Sequence, residues 1–243
     1  MINLHDKVFI VSGSSSGIGR SIAELLLENS ASVIGLDFSQ SIITHPRFRH
    51  YTADIRDEQM LISIMDEAET LFGKIDGLAN CAGIYSSSKP FFDLGYDEWN
   101  QVIQTNLTGT FLLSKVAARK MMKNKKGKIV NISCIRSRIF RPNMSEYAAS
   151  KAGIVALTAA MALDLKDYNI QVNSVAPGFT YTGMTAAAFD VPEVREFSES
   201  IIPAGRIADP KEIANVALFL FSGLSNYING ETIFVDGGFK ISK

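Results

Sequence analysis

The stretch "KVFIVSGSSSGIG" (7–19) decides the fold. Val8 to Val11 is an apolar run with no polar residue on either face, the pattern of a strand buried on both sides. Three glycines follow, Gly13, Gly17 and Gly19, with Ser15, Ser16 and Ile18 in the same turn, and a helical period takes over from Gly17 to Asn29. The spacing is G-x-x-x-G-x-G rather than the G-x-G-x-x-G of the usual dinucleotide fingerprint, but the physics is shared. Glycines let backbone approach a pyrophosphate closely, and the start of the following helix offers unpaired N–H groups at the positive end of its dipole. Strand, glycine turn and helix in that order predict a dinucleotide-binding unit.

Outward from this unit the alternation repeats to the end of the chain. Strands are expected at 32–37, 49–54, 74–83, 127–133, 170–178 and 232–238, with helices over 58–72, 146–168 and 210–222 and one or two helices over 97–123. This implies an α/β fold, a Rossmann-type doubly wound parallel sheet of about seven strands with helices on both faces and a crevice beyond the strands' carboxyl ends. The 243 residues read as a single domain over 1–243. Residues 179–207 are long for a connection and are expected to form a substrate lid with short helices of its own.

Charge and composition exclude several functions. A formal net charge of −1 with interspersed signs argues against a nucleic-acid partner. The basic run from Lys123 to Lys128 reads as a solvated helix-to-strand turn. No apolar stretch approaches the ~20 residues of a membrane span, and the amino terminus has no signal architecture, so a cytoplasmic protein without membrane contact is expected. Cys81 and Cys134 are too few for a disulfide framework, which fits a reducing compartment. His5, His45 and His50 lack paired spacing, and no metal site is expected.

Strand two ends in Asp37, where an acid can hydrogen-bond the adenosine ribose and repel a 2′-phosphate. Neither Ser16 nor Phe38 supplies compensating charge, so NAD(H) is expected over NADP(H). His45, Arg47 and Arg49, on the next loop, are the cations that could reverse this. Asp54 and Ile55 are expected to close strand three beside the adenine, and Asn80, Ala82 and Gly83 of "NCAG" (80–83) to let the cofactor rest on backbone. Further on, Tyr147 and Lys151 stand at i and i+4 of a helix and share a face. An ammonium there would pull the phenol's pKa down and make it a general acid or base.

In order along the chain stand the glycine turn, "NCAG", Asn106 in "TNLTG" (105–109), a hydroxyl at the end of strand five, Tyr147-x-x-x-Lys151, "PGFTYTGM" (177–184) and "VDGG" (235–238). Together they resemble the short-chain dehydrogenase/reductase family over essentially the whole chain. The resemblance implies a homotetramer or homodimer and reversible hydride transfer between a nicotinamide and an alcohol or carbonyl. It also implies that Tyr147 is the acid/base, and that Lys151 lowers its pKa and holds the nicotinamide ribose. Asn106 would support a water chain to Lys151, and Pro177, Gly178, Thr180 and Thr182 would cradle the nicotinamide end.

Where most relatives carry a substrate-binding serine, thirteen residues before the tyrosine, this chain has Cys134, with Ser133 one residue earlier. Successive strand residues point to opposite faces, which favours Cys134 in that position unless the strand end shifts by one. Arg136, Arg138 and Arg141, with Met144, lie on the segment beside the expected site. Guanidinium forks match carboxylates and phosphates, so an anionic small-molecule substrate is expected. The overall pattern is similar to 3-oxoacyl-acyl-carrier-protein reductases, and Arg141-x-x-Met144-x-x-Tyr147 to 2,3-dihydro-2,3-dihydroxybenzoate dehydrogenases, which act on a cyclic dihydrodiol carboxylate. A catalytically weak NAD-binding regulator is the remaining alternative, resting on Cys134 alone.

Overall fold

In the computed structural model, which describes residues 2–242, seven parallel strands form one sheet in the order β3-β2-β1-β4-β5-β6-β7. They are β1 (Val8–Ser12), β2 (Ser32–Asp37), β3 (Phe48–Thr52), β4 (Gly77–Asn80), β5 (Gly127–Ile132), β6 (Ile170–Pro177) and β7 (Thr232–Val235). Alternating side chains of each strand enter two separate cores. Val8 and Ile10 of β1 face a layer built with Leu61 and Met65 of α2 (Glu58–Phe72) and Leu113 and Met121 of α4 (Gly109–Lys123). Phe9 and Val11 face the other, built with Ile22 and Leu26 of α1 (Gly17–Glu28) and Ala217 and Phe221 of α8 (Pro210–Phe221). Sequential strands run outward from β1 in both directions. The order therefore reverses between β1 and β4, and a crevice opens there at the carboxyl ends of the strands.

Several boundaries differ from the sequence reading for local reasons. β4 stops at Asn80 because the Cys81 and Ala82 amides turn away to donate to the Ser12 hydroxyl, at 3.1 and 3.2 Å. β3 stops at Thr52. Asp54 and Ile55 lie beyond it in a turn, where the Arg56 amide donates to the Asp54 carboxylate at 2.9 Å. Residues 97–123, expected as one or two helices, form α3 (Tyr96–Ile103), a π-helical turn (Gln104–Thr108) and α4. The segment between Asp37 and β3 has no helix. Residues 179–207 carry α6 (Ala186–Phe189) and α7 (Pro192–Ser200). The two ends of this excursion are tied together where the Tyr181 amide donates to Ala208 and the Ala208 amide to Phe179, both at 2.9 Å.

Candidate active site

A cleft of about 440 Å³ occupies the crevice. Its floor at one end is the turn after β1. Gly13 has φ +67°, and a Cβ there would sit 2.9 Å from the Ala82 amide nitrogen, so only glycine lets these two turns approach. No side chain caps the N-terminus of α1, which leaves its first amides directed at the cleft. Ser16, Gly17, Ile18 and Gly19 line this end, with Asp37, Ile55, Ala82 and Gly83. The Asp37 carboxylate is oriented by the Ser15 amide at 3.0 Å and the Ser39 amide at 2.9 Å.

The other end is built around α5 (Ser145–Asp164). Tyr147 and Lys151 are 7% and 6% exposed and both line the cleft. The Lys151 ammonium donates to the Ile132 carbonyl at 2.9 Å and lies 5.7 Å from the Tyr147 ring centre. Contrary to the sequence expectation, the Tyr147 phenol is not held low. Burial pushes its pKa well above the usual value, and the neighbouring Cys134 thiol, hydrogen-bonded to it, pushes the same way. Burial also pulls the Lys151 ammonium down. Tyr147 is therefore a protonated acid at neutral pH.

Strand alternation separates the two candidates at the end of β5. The Ser133 hydroxyl is buried and donates to the Lys151 carbonyl at 2.9 Å, which ties β5 to α5. Cys134 opens on Tyr147. Asn106, in the π turn, is fully buried. It accepts from the Ile84 amide at 2.8 Å and donates to the Ile84 carbonyl at 3.0 Å and the Ser150 hydroxyl at 3.2 Å. Asn80 is buried in a polar contact with Ser114 and Asn131 and does not line the cleft. Asp54 likewise lies outside it, paired with Arg56 at 2.7 Å. Pro177, Gly178, Thr180 and Thr182 all line it. So do Arg136, Arg141 and Met144, but Arg138, exposed just past the short turn of Ile135–Ser137, does not.

A family model described as enoyl-(acyl carrier protein) reductase matches residues 13–240. The chain is 38% identical to a 3-oxoacyl-acyl-carrier-protein reductase of Vibrio harveyi, over 98% of each chain. The chain belongs to the short-chain dehydrogenase/reductase family. Within this family of nicotinamide-dependent oxidoreductases acting on CH–OH or keto groups, an NAD-dependent glycerol dehydrogenase of Listeria innocua is 36% identical, covering 98% of this chain and 96% of its own. A gluconate 5-dehydrogenase from Burkholderia cenocepacia, solved with NADP and tartrate, superposes with a TM-score of 0.91 at 31% identity, covering 98% of this chain and 97% of its own.

Two contributors to this short-chain oxidoreductase site were not visible in the sequence. The Tyr85 ring packs 5.2 Å from the Tyr147 ring. Glu146, which reads as an ordinary first-turn helix acid, is fully buried. One of its oxygens accepts from the Ser86 hydroxyl at 2.7 Å and from the Ser87 amide at 2.9 Å. Burial alone would raise this carboxyl, but the Ser86 and Ser87 hydrogen bonds outweigh it and hold the pKa below the usual range. The run Ser86–Ser87–Ser88 was the only hint of a partner. Among the described residues no group of three His, Cys, Asp or Glu side chains gathers to hold a metal, and no helix is long and apolar enough to cross a membrane.

Proposed function

We propose that this protein is an NAD(H)-dependent oxidoreductase that interconverts a carbonyl and a secondary alcohol on a small anionic molecule. The observation that carries the reading is the buried pair of Tyr147 and Lys151 at one end of a cleft whose other end is a glycine turn, an uncapped helix and Asp37. These residues fit a dinucleotide: Gly13 and the α1 amides suit its pyrophosphate, and Asp37 its adenosine ribose. The nicotinamide, when bound, supplies or accepts the hydride. Tyr147 then gives its phenolic proton to the carbonyl oxygen in reduction and takes it back from the alcohol in oxidation. Lys151, anchored to β5 through the Ile132 carbonyl, presents positive charge below the phenol and donors to the nicotinamide ribose. Cys134 would contact the substrate oxygen, and Pro177, Gly178, Thr180 and Thr182 would hold the nicotinamide end.

The cofactor preference rests on the charges around Asp37. Arg47 donates to the Leu27 carbonyl at 3.3 Å, Arg49 to the Phe48 carbonyl at 3.0 Å, and the His45 Nδ1 accepts from the Arg47 amide at 3.1 Å, so all three side chains are engaged with backbone. NAD(H) should therefore give at least tenfold higher kcat/KM than NADP(H), about 1.4 kcal/mol, and Asp37→Ala should narrow the gap. A second reading, NADPH-linked reduction of a 3-oxoacyl thioester, is favoured by the similarity to the Vibrio harveyi reductase. Steady-state rates with both cofactors decide between them: equal or faster turnover with NADPH would sink the NAD(H) reading.

A further inference from the structure

We propose that Arg136, backed by the ring of Phe179, is a carboxylate-binding subsite, and that the substrate is a compact hydroxy or keto acid held by that carboxylate. The inference rests on the oxidoreductase reading above and specifies its substrate. The substrate end of the cleft is apolar, walled by Tyr85, Met144, Phe179 and Phe189, and the charged residues lining it are Lys151, Arg136 and Arg141. Asp37, at the opposite end, is the acid among the described lining residues.

Arg136 is partly buried and spends one N–H on the Ile139 carbonyl at 3.2 Å. Its guanidinium lies 5.9 Å from the Phe179 ring centre, and Phe179 is in turn braced by Phe239 at 5.0 Å and Phe189 at 6.3 Å. Among the described residues no carboxylate pairs with it, whereas Arg20, Arg56, Arg195 and Arg206 each have one. Desolvation accordingly pulls its pKa below the usual guanidinium value. A desolvated cation with a fixed plane and no counter-ion is costly unless an anion completes it.

The geometry selects the anion's class. A single guanidinium fork neutralises one charge and matches the two oxygens of a planar carboxylate. A phosphate dianion would call for a second fixed cation. Arg141 is exposed at the rim, where solvent screens it, and Arg138 lies outside the cleft.

The test has a binding arm and a turnover arm. In the first, benzoate, benzamide and inorganic phosphate are titrated by calorimetry into the full-length protein, with and without NADH. Benzoate should bind more tightly than either competitor, and Arg136→Gln should weaken it about thirtyfold or more. Arg136→Lys should recover only part of that loss, and Arg141→Gln should cost about two- to threefold. In the second, NAD+-linked oxidation of cis-3-hydroxycyclohexanecarboxylate is compared with that of its methyl ester. The wild-type preference for the acid should collapse in Arg136→Gln. Benzoate affinity that is absent, or unchanged by Arg136→Gln, overturns the subsite, and phosphate binding more tightly than benzoate overturns its assignment to a carboxylate. Failure of NADH to bind would instead sink the oxidoreductase reading, and the cofactor-free benzoate titration stands apart from that result.

Discussion

In the proposed reaction Tyr147 is the acid/base, and its burial sets how that reaction should respond to pH. Desolvation raises the phenol's pKa, so the protonated acid is populated through neutrality. Carbonyl reduction, which needs that proton, should be flat from about pH 6 to 8, whereas alcohol oxidation, which needs the phenolate, should accelerate as pH rises. Initial rates in both directions over this range test the assignment, and oxidation that slows towards alkaline pH would contradict it. Tyr147→Phe keeps the ring and its contact with Tyr85 while removing the proton. NADH should still bind, and kcat should fall by about 10²–10⁴. Cys134→Ser places a stronger donor at nearly the same size beside Tyr147, so kcat should be preserved or raised, measured against Ser133→Ala as the neighbouring control. Loss of activity in Ser133→Ala alone would also have to be separated from the loss of its 2.9 Å bond to Lys151, for example by thermal melting.

Among the elements, α5 is joined to the loop after β4 by Glu146. Its contacts with Ser86 and Ser87 hold that loop, including Tyr85, against Tyr147. Glu146→Ala leaves the Ser87 amide without its acceptor and should cost about 1–3 kcal/mol of stability, together with a raised KM. Glu146→Gln retains an accepting oxygen and should recover most of both, as chemical denaturation and steady-state kinetics would record. β5 carries a different ionisable group. Lys128 was expected in a solvated turn, but it is partly buried and donates to the Ser222 carbonyl at 2.8 Å and the Ser225 hydroxyl at 3.1 Å. Burial, followed by repulsion from Lys126, pulls its pKa down to about 8. Between that value and the ~10.4 of an unfolded lysine, the unfolded chain binds more protons, so this group makes the protein more stable as pH rises. Below pH 8 the cost of burying the charge is present in full. Relative to Lys128→Met, the wild type should gain on the order of 1 kcal/mol between pH 8 and 10, after allowance for partial solvent screening.

At the scale of the whole molecule, one face remains apolar where a lone domain would be polar. Ala149, Ala156, Ala160 and Leu163 form an exposed stripe along α5, and Phe111 is 42% exposed on the neighbouring α4. An outward-facing helix stripe that is apolar rather than charged marks a surface that something covers. We expect a second copy of the chain to cover it, in a dimer or tetramer. Light scattering should give a mass at least twice the 26.6 kDa of one chain. Leu163→Asp with Phe111→Asp should shift that mass towards the monomer, while a wild type that is monomeric at micromolar concentration would refute the expectation.

The sequence by itself determined the element order, the parallel sheet and the location of the glycine turn, because both-face apolar strands and helical periods are local patterns. It also determined that Tyr147 and Lys151 share a helix face, since that follows from i, i+4 spacing. What only the tertiary structure decided are quantities that depend on what surrounds a side chain. Tyr147 is raised rather than lowered because burial, followed by the neighbouring Cys134, outweighs the nearby Arg136 charge, while the Lys151 ammonium donates to the Ile132 carbonyl. Arg136 lines the cleft and Arg138 does not, although they are two residues apart at the short turn Ile135–Ser137. Asn80 and Asp54 sit beside the expected cofactor path, yet the Asn80 amide donates to Ser114 and Asn131 and Asp54 pairs with Arg56. Spacing along a chain fixes which residues can be neighbours on one element. Desolvation and partner choice depend on atoms brought together from β4, β5 and α5, and no single segment contains that information.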